Sequence, residues 1–176
     1  GFTFPFYGNN FTTFRVCSNG WLSFTSSLTQ YVNQPLPTVG APENLVAAFW
    51  DDMIMDPSYG GGVYYYNDGT RLIVQYNVRR IAEYTSPYYS FEIMLYPNGN
   101  IVYQYQYLTS TTNSCTIGIQ DAAMTDGLQV VFNAAYVHTN MAILFSSAPQ
   151  WLDVAPLSGV IAAGGYEDIN VIMDAR

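Results

Sequence analysis

Lysine is absent from this chain, and charge of either sign is scarce: five arginines and thirteen acids amount to 10% of the 176 residues, where an average domain carries about 25%. Charge-rich disorder is excluded, because such segments pair high charge with low hydrophobicity and 49% of this chain is apolar. A net charge of −8 excludes a nucleic-acid partner, whose phosphates must meet a basic surface. It leaves cations, sugars or another protein as partners. Long apolar runs are missing too. None approaches the ~20 residues of a membrane span, so no membrane span is expected.

Only one histidine, His138, is present, and a Ser–His–Asp machine would have to be built around it. No nucleophile elbow accompanies it, and residues 137–139 read as a loop before a strand, so no catalysis is placed there. Cysteine occurs twice, at Cys17 and Cys115, too few and too far apart for a zinc site. In an oxidising compartment a Cys17–Cys115 disulfide is expected, closing a loop that stabilises by about 4–5 kcal/mol in the chain-entropy model. Two buried free thiols are the alternative. The chain opens at Gly1 rather than Met, with no basic-plus-apolar leader, as expected of a processed or excised product.

What is abundant favours strands: 16 tyrosines and 10 phenylalanines, side chains that suit a pleated surface. Residues 71–78 alternate, with Leu72, Val74, Tyr76 and Val78 on one face. Residues 89–96 do the same through Tyr89, Phe91, Ile93 and Leu95, and after Pro97-Asn98-Gly99-Asn100 residues 101–107 return. Alternating runs around Asn-Gly are the strongest short-range hairpin signal. Asn67-Asp68-Gly69 and Ser18-Asn19-Gly20 mark two more hairpins. Further strands are expected over residues 45–50, 115–120, 128–132 and 141–145, and no helical apolar stripe interrupts them. Many short strands with Gly/Asn turns predict an all-β, antiparallel β-sandwich, jelly-roll-like, over residues 1–148. Residues 25–44 and 53–62 are loops long enough to house function. After Pro149 the character changes, and residues 149–176, with strands at 151–154 and 169–173, have too little chain to build a core. They are expected to be the start of a second domain or a strand-donating tail.

The motifs fall in a recognisable order. Gly1-Phe2-Thr3-Phe4-Pro5-Phe6-Tyr7-Gly8 precedes Ser18-Asn19-Gly20-Trp21-Leu22-Ser23-Phe24, then Ala47-Ala48-Phe49-Trp50-Asp51-Asp52, Gly62-Val63-Tyr64-Tyr65, and Ile117-Gly118-Ile119-Gln120-Asp121 with Asp126-Gly127-Leu128. As an ordered set these resemble the nidogen-like extracellular β-sandwich modules of large bacterial secreted and surface proteins. Trp151-Leu152-Asp153-Val154, Pro156, Ser158-Gly159 and Ala163-Gly164-Gly165 resemble the opening of a bacterial immunoglobulin-like repeat. The resemblance implies a cell-surface module for adhesion or structural presentation, without catalytic activity and with no ligand specified.

Candidate sites are few. Asp51 and Asp52 follow an apolar strand, with Asp56 in the next loop. Adjacent carboxylates beside a loop suit calcium, which takes six to eight oxygens; turn capping by the same residues is the other reading. Asp121 and Asp126 flank a turn, where Asx-type capping is expected. A glycosidase would need two carboxylates about 5–10 Å apart, and nothing marks a pair; Glu92 is expected on the outward face of its strand. Tyr103, Tyr105 and Tyr107 share a strand face, and with Trp151, Ile169 and Val171 they are the expected assembly surface, for self-association or for other surface proteins. Cross-strand pairing that merely stabilises the sheet is the alternative. Exposed tyrosines or Trp21 would also serve as stacking platforms for a polysaccharide. Asn10-Phe11-Thr12 matches the N-glycosylation pattern, which by itself predicts little.

Overall fold

Three left-handed glycines close the predicted hairpins: Gly20 (φ +79°), Gly69 (φ +89°) and Gly99 (φ +89°) each follow Asn or Asp. Gly20 is the least replaceable, since a Cβ there would lie 1.8 Å from the Phe49 carbonyl oxygen. The computed structural model describes residues 2–83, 88–108, 111–146, 152–155, 160, 163–166 and 168–173.

Its strands are β1 (Phe4–Phe6), β2 (Asn9–Phe11), β3 (Arg15–Cys17), β4 (Trp21–Ser23), β5 (Leu45–Trp50), β6 (Met53–Ile54), β7 (Gly62–Asn67), β8 (Leu72–Arg80), β9 (Tyr89–Leu95), β10 (Ile101–Leu108), β11 (Thr116–Gln120), β12 (Gly127–Phe132), β13 (Met141–Phe145), β14 (Leu152–Ala155) and β15 (Asn170–Met173). Among the described residues the only helices are single 3₁₀ turns at Pro57–Tyr59 and Ile81–Glu83. No described helix is long and apolar enough to cross a membrane.

Two antiparallel sheets form the sandwich. One has the order β12-β11-β5-β4-β3; the other runs β13-β10-β9-β8-β6, with β7 also paired to β8. In the six-stranded sheet the inward rows are Leu72–Leu95–Ile101–Phe145, Val74–Ile93–Tyr103–Ile143 and Tyr76–Phe91–Tyr105–Met141. They pack on Leu22, Val46, Ala48, Phe49, Ile117 and Val131 of the other sheet. Phe4, Phe6, Phe11 and Phe24 join the same core, with ring centroids 4.9–5.4 Å from Phe24. Residues 11–17 do not form one strand, because Phe11 pairs with Phe4 in the β1–β2 hairpin.

Three inward tyrosines cross the sandwich. Tyr76, Tyr103 and Tyr105 donate their hydroxyls to the backbone oxygens of Trp21 (2.8 Å), Gly118 (3.0 Å) and Ala48 (2.7 Å). Two of these acceptors sit where the ladder slips: β11 shifts register at Gly118, and β5 bulges at Ala48, whose N–H shares the Gly20 oxygen with that of Phe49. Tyr103 and Tyr105 thus each supply a donor at an irregularity that a buried backbone cannot leave unmet.

Residues 25–44 form a strap. They cover the outer face of the five-stranded sheet, where Cys17, Trp21, Leu36, Ala41, Leu45, Ala47 and Trp50 form a second cluster. Both indole N–H groups, of Trp21 and Trp50, donate to the Gln30 oxygen at 3.0 and 3.1 Å. Gln120 donates to Pro42 and accepts from Thr38 N–H, and Gln129 accepts from Leu36 N–H. This second cover explains why β5 is buried at every position.

The chain divides into two units, Gly1–Phe145 and Ser146–Arg176. The second contains the antiparallel hairpin β14–β15, paired from Leu152↔Met173 to Ala155↔Asn170.

Candidate functional site

The expected site residues are placed by the register. Tyr103 and Tyr105 are completely buried, so they are core pillars and not an assembly surface. Tyr107 alone is exposed, because the β9–β10 ladder shifts between Tyr105 and Tyr107 and turns that ring out of the inward row. Trp21 is 1% exposed under the strap, which removes it as a stacking platform. Trp151 lies outside the described residues; Ile169 and Val171 are exposed beside and on β15.

Cys17 and Cys115 are buried free thiols, so the expected bond is not formed. β4 and β5 lie between β3 and β11, three strand spacings or about 14 Å, where a disulfide needs Cα atoms about 4.4–6.8 Å apart. The thiols also face different clusters, Cys17 the strap and Cys115 the inner core. Burial raises both pKa values, that of Cys115 to about 12 with the neighbouring Asp51 adding to it.

Two of the three aspartates, Asp51 and Asp56, pair with arginines. Asp51 Oδ2 accepts from Arg80 Nε at 2.7 Å and from Ser114 Oγ at 2.6 Å, while its Oδ1 takes the Asp52 N–H. Arg80 Nη1 donates to Glu83 Oε1 at 2.7 Å, and the Tyr89 hydroxyl reaches Glu83 Oε2 at 2.9 Å. Burial works against the Arg80 charge, but Asp51 and Glu83 more than offset it and lift its pKa above the ordinary value. Asp56 Oδ1 caps the 3₁₀ turn through Ser58, and its buried Oδ2 lies 4.0 Å from Arg79 Nη1. Asp52 is raised by burial first and by Asp51 next. Among the described residues no group of three His, Cys, Asp or Glu could hold a metal ion, so the carboxylates close one end of the sandwich by ion pairing. Asp121 accepts the N–H groups of Thr125 and Asp126, the capping expected of it. His138 Nδ1 donates to the adjacent Thr139 oxygen at 2.9 Å.

The feature missed from sequence is an open flank. Among the described residues β3 is one edge of its sheet and β7 lies at one edge of the other. Register puts Val63 and Tyr65 of β7 on the inward face, opposite Tyr76 and Val74, yet Tyr65 is 75% exposed. Val16 of β3 also faces inward, opposite Leu22, and is likewise exposed. Between the two edges runs a groove of about 580 Å³ walled by Phe14, Val16, Met55, Val63, Tyr64 and Tyr65. No wall residue is charged, and β7, Gly-Val-Tyr-Tyr-Tyr-Asn, carries none of the lysines, prolines or bulges that usually blunt an edge. The local signal was present: three consecutive tyrosines cannot all face one core.

A family model described as NIDO related matches residues 1–156. The chain belongs to this nidogen-related family. No curated protein and no solved structure matches it. Nidogen-related domains are typically extracellular and are a structural module type.

Proposed function

We propose that this nidogen-related domain is a non-catalytic adhesive subunit that self-assembles at the cell surface by strand addition at its open flank. The observation that carries this reading is the pair of unpaired sheet edges, β3 and β7, facing each other across one uncharged apolar groove. Unpaired backbone groups on both rims accept an extended segment, and Val16, Val63 and Tyr65 accept its alternate apolar side chains. The occupant is residues 169–173 of a second copy. That segment has strand conformation over Asn170–Met173, exposes Ile169 and Val171, and is flanked in sequence by Asp168 and Asp174, which complement Arg15 on β3. A tail-to-flank contact is heterologous, so where its rotation does not close a ring it propagates into a filament.

Sedimentation velocity over a concentration series tests it. The full chain is expected to form a growing series of oligomers, whereas Tyr65→Lys and a chain lacking residues 147–176 stay monomeric with the sandwich's Tm retained. A wild type that remains monomeric throughout, or a tail deletion that assembles unchanged, overturns the proposal.

A further inference from the structure

The outward face of the six-stranded sheet carries a second, chemically different concavity. Its rows cross the ladder in register: Tyr64–Gln75–Glu92–Gln104 in one, and Gly62–Asn77–Ser90–Tyr107 in the next. A hollow of about 620 Å³ opens over the second row, lined by Asn77, Tyr88, Ser90, Gln106, Tyr107 and Asn140 among others. Such a concentration of amides and hydroxyls on one sheet face is not needed for packing, because the inward rows already build the core.

The side chains are held for use. Ser90 Oγ lies 3.0 Å from Asn77 Oδ1 and 3.2 Å from Gln106 Oε1, and Gln75 Nε2 reaches Asn77 Oδ1 at 3.4 Å. The one Ser90 proton serves one amide oxygen at a time, so the Asn77 and Gln106 amides keep donor and acceptor capacity for a ligand. Two rings bound the hollow. Tyr107 is swung outward by the bulge that follows Tyr105, a device that re-aims a side chain. Tyr88 is held by the Arg79 guanidinium, 4.6 Å from its ring centroid.

We propose that this face binds a neutral polysaccharide. A sugar ring offers a rim of hydroxyls, each both donor and acceptor, and a face of C–H groups. Amides match the first and aromatic faces the second. Anionic glycans are disfavoured, because no cation lines the hollow, every described arginine is engaged within the chain, and the net charge is −8. This site is separate from the flank groove and does not depend on it.

Affinity electrophoresis of the full chain in gels containing arabinoxylan, galactomannan, mixed-linkage β-glucan or soluble starch, with alginate as the anionic control, tests the proposal. At least one neutral polymer is expected to retard the wild type. Tyr107→Ala and the exposed Gln106→Ala are each expected to weaken retardation, by about tenfold for the ring and about threefold or more for the amide. Tyr107→Phe keeps the ring and retains binding, and Tyr65→Lys in the flank groove leaves retardation unchanged. Retardation by alginate alone, by none of the neutral polymers, or equally in the Tyr107→Ala and Gln106→Ala chains overturns it.

Discussion

Replacing Tyr105 by Phe isolates one atom of the sandwich. The ring stays, while the hydroxyl that donates to the Ala48 oxygen at 2.7 Å is lost. Ala48 sits in the β5 bulge and is fully buried, so its carbonyl is left without that donor and without water. An orphaned buried acceptor costs about 1–3 kcal/mol. The sandwich unit spans Gly1–Phe145, and at roughly 2.1 cal/mol/K per residue its unfolding entropy is about 0.3 kcal/mol/K. The expected fall in Tm is therefore about 3–10 °C, measured by calorimetry, with a matching loss in urea midpoint and no change in slope. Tyr66→Phe, at an exposed position of β7, is the control and should change stability by less than about 0.5 kcal/mol. A Tyr105→Phe protein melting within a degree of wild type would refute the assignment of these phenols as cross-sheet hydrogen-bonding pillars.

The same tyrosines make a pH prediction: burial holds the pKa of Tyr76, Tyr103 and Tyr105 well above 10 and raises Tyr7 to about 12. The unfolded chain ionises them near 10, so this contribution is intact below that pH and is lost as pH rises toward the folded values; a Tm that stays flat from pH 9 to 11.5 contradicts it. Cys17 and Cys115, buried and unbonded, should ignore Ellman's reagent until urea exposes two thiols per chain, and dithiothreitol should leave Tm unchanged. Asp51→Asn removes the charged partner of Arg80 and Ser114 and should destabilise by about 3 kcal/mol, read from chemical denaturation; a loss under 0.5 kcal/mol would show the network to be solvated in solution.

Much of the fold was legible because its signals are local. The Asn-Gly and Asp-Gly turns named three hairpins, and the run at Leu45–Trp50 marked a strand, which the structure buries on both faces. The short strands β1, β2 and β6 escaped notice because they span only two or three residues. Tyr103 and Tyr105 were misplaced for an instructive reason. Alternation shows that they share a face but not which face; Gln104 between them and Gln106 after them, polar and exposed, already marked the solvent side. Trp21 does point away from the inner core, and only the strap folding back over it makes it buried. The aspartates illustrate the limit of spacing arguments, since Asp51 is claimed by residues 29 and 63 positions away. The open flank is less legible still. It exists because β3 and β7, distant in sequence, are edges of different sheets, and edge status is a property of topology alone.

Hydrogen–deuterium exchange tests the central functional claim most directly, because strand addition must protect backbone amides at the edges it uses. Comparing dilute and concentrated full-length chain, we expect new protection at Arg15–Cys17 and at those amides of Gly62–Asn67 that point away from β8, together with the segment around Asn170–Met173. The same comparison in Tyr65→Lys should show none of it. Assembly that leaves both edges exchanging as fast as in the dilute protein would contradict the account.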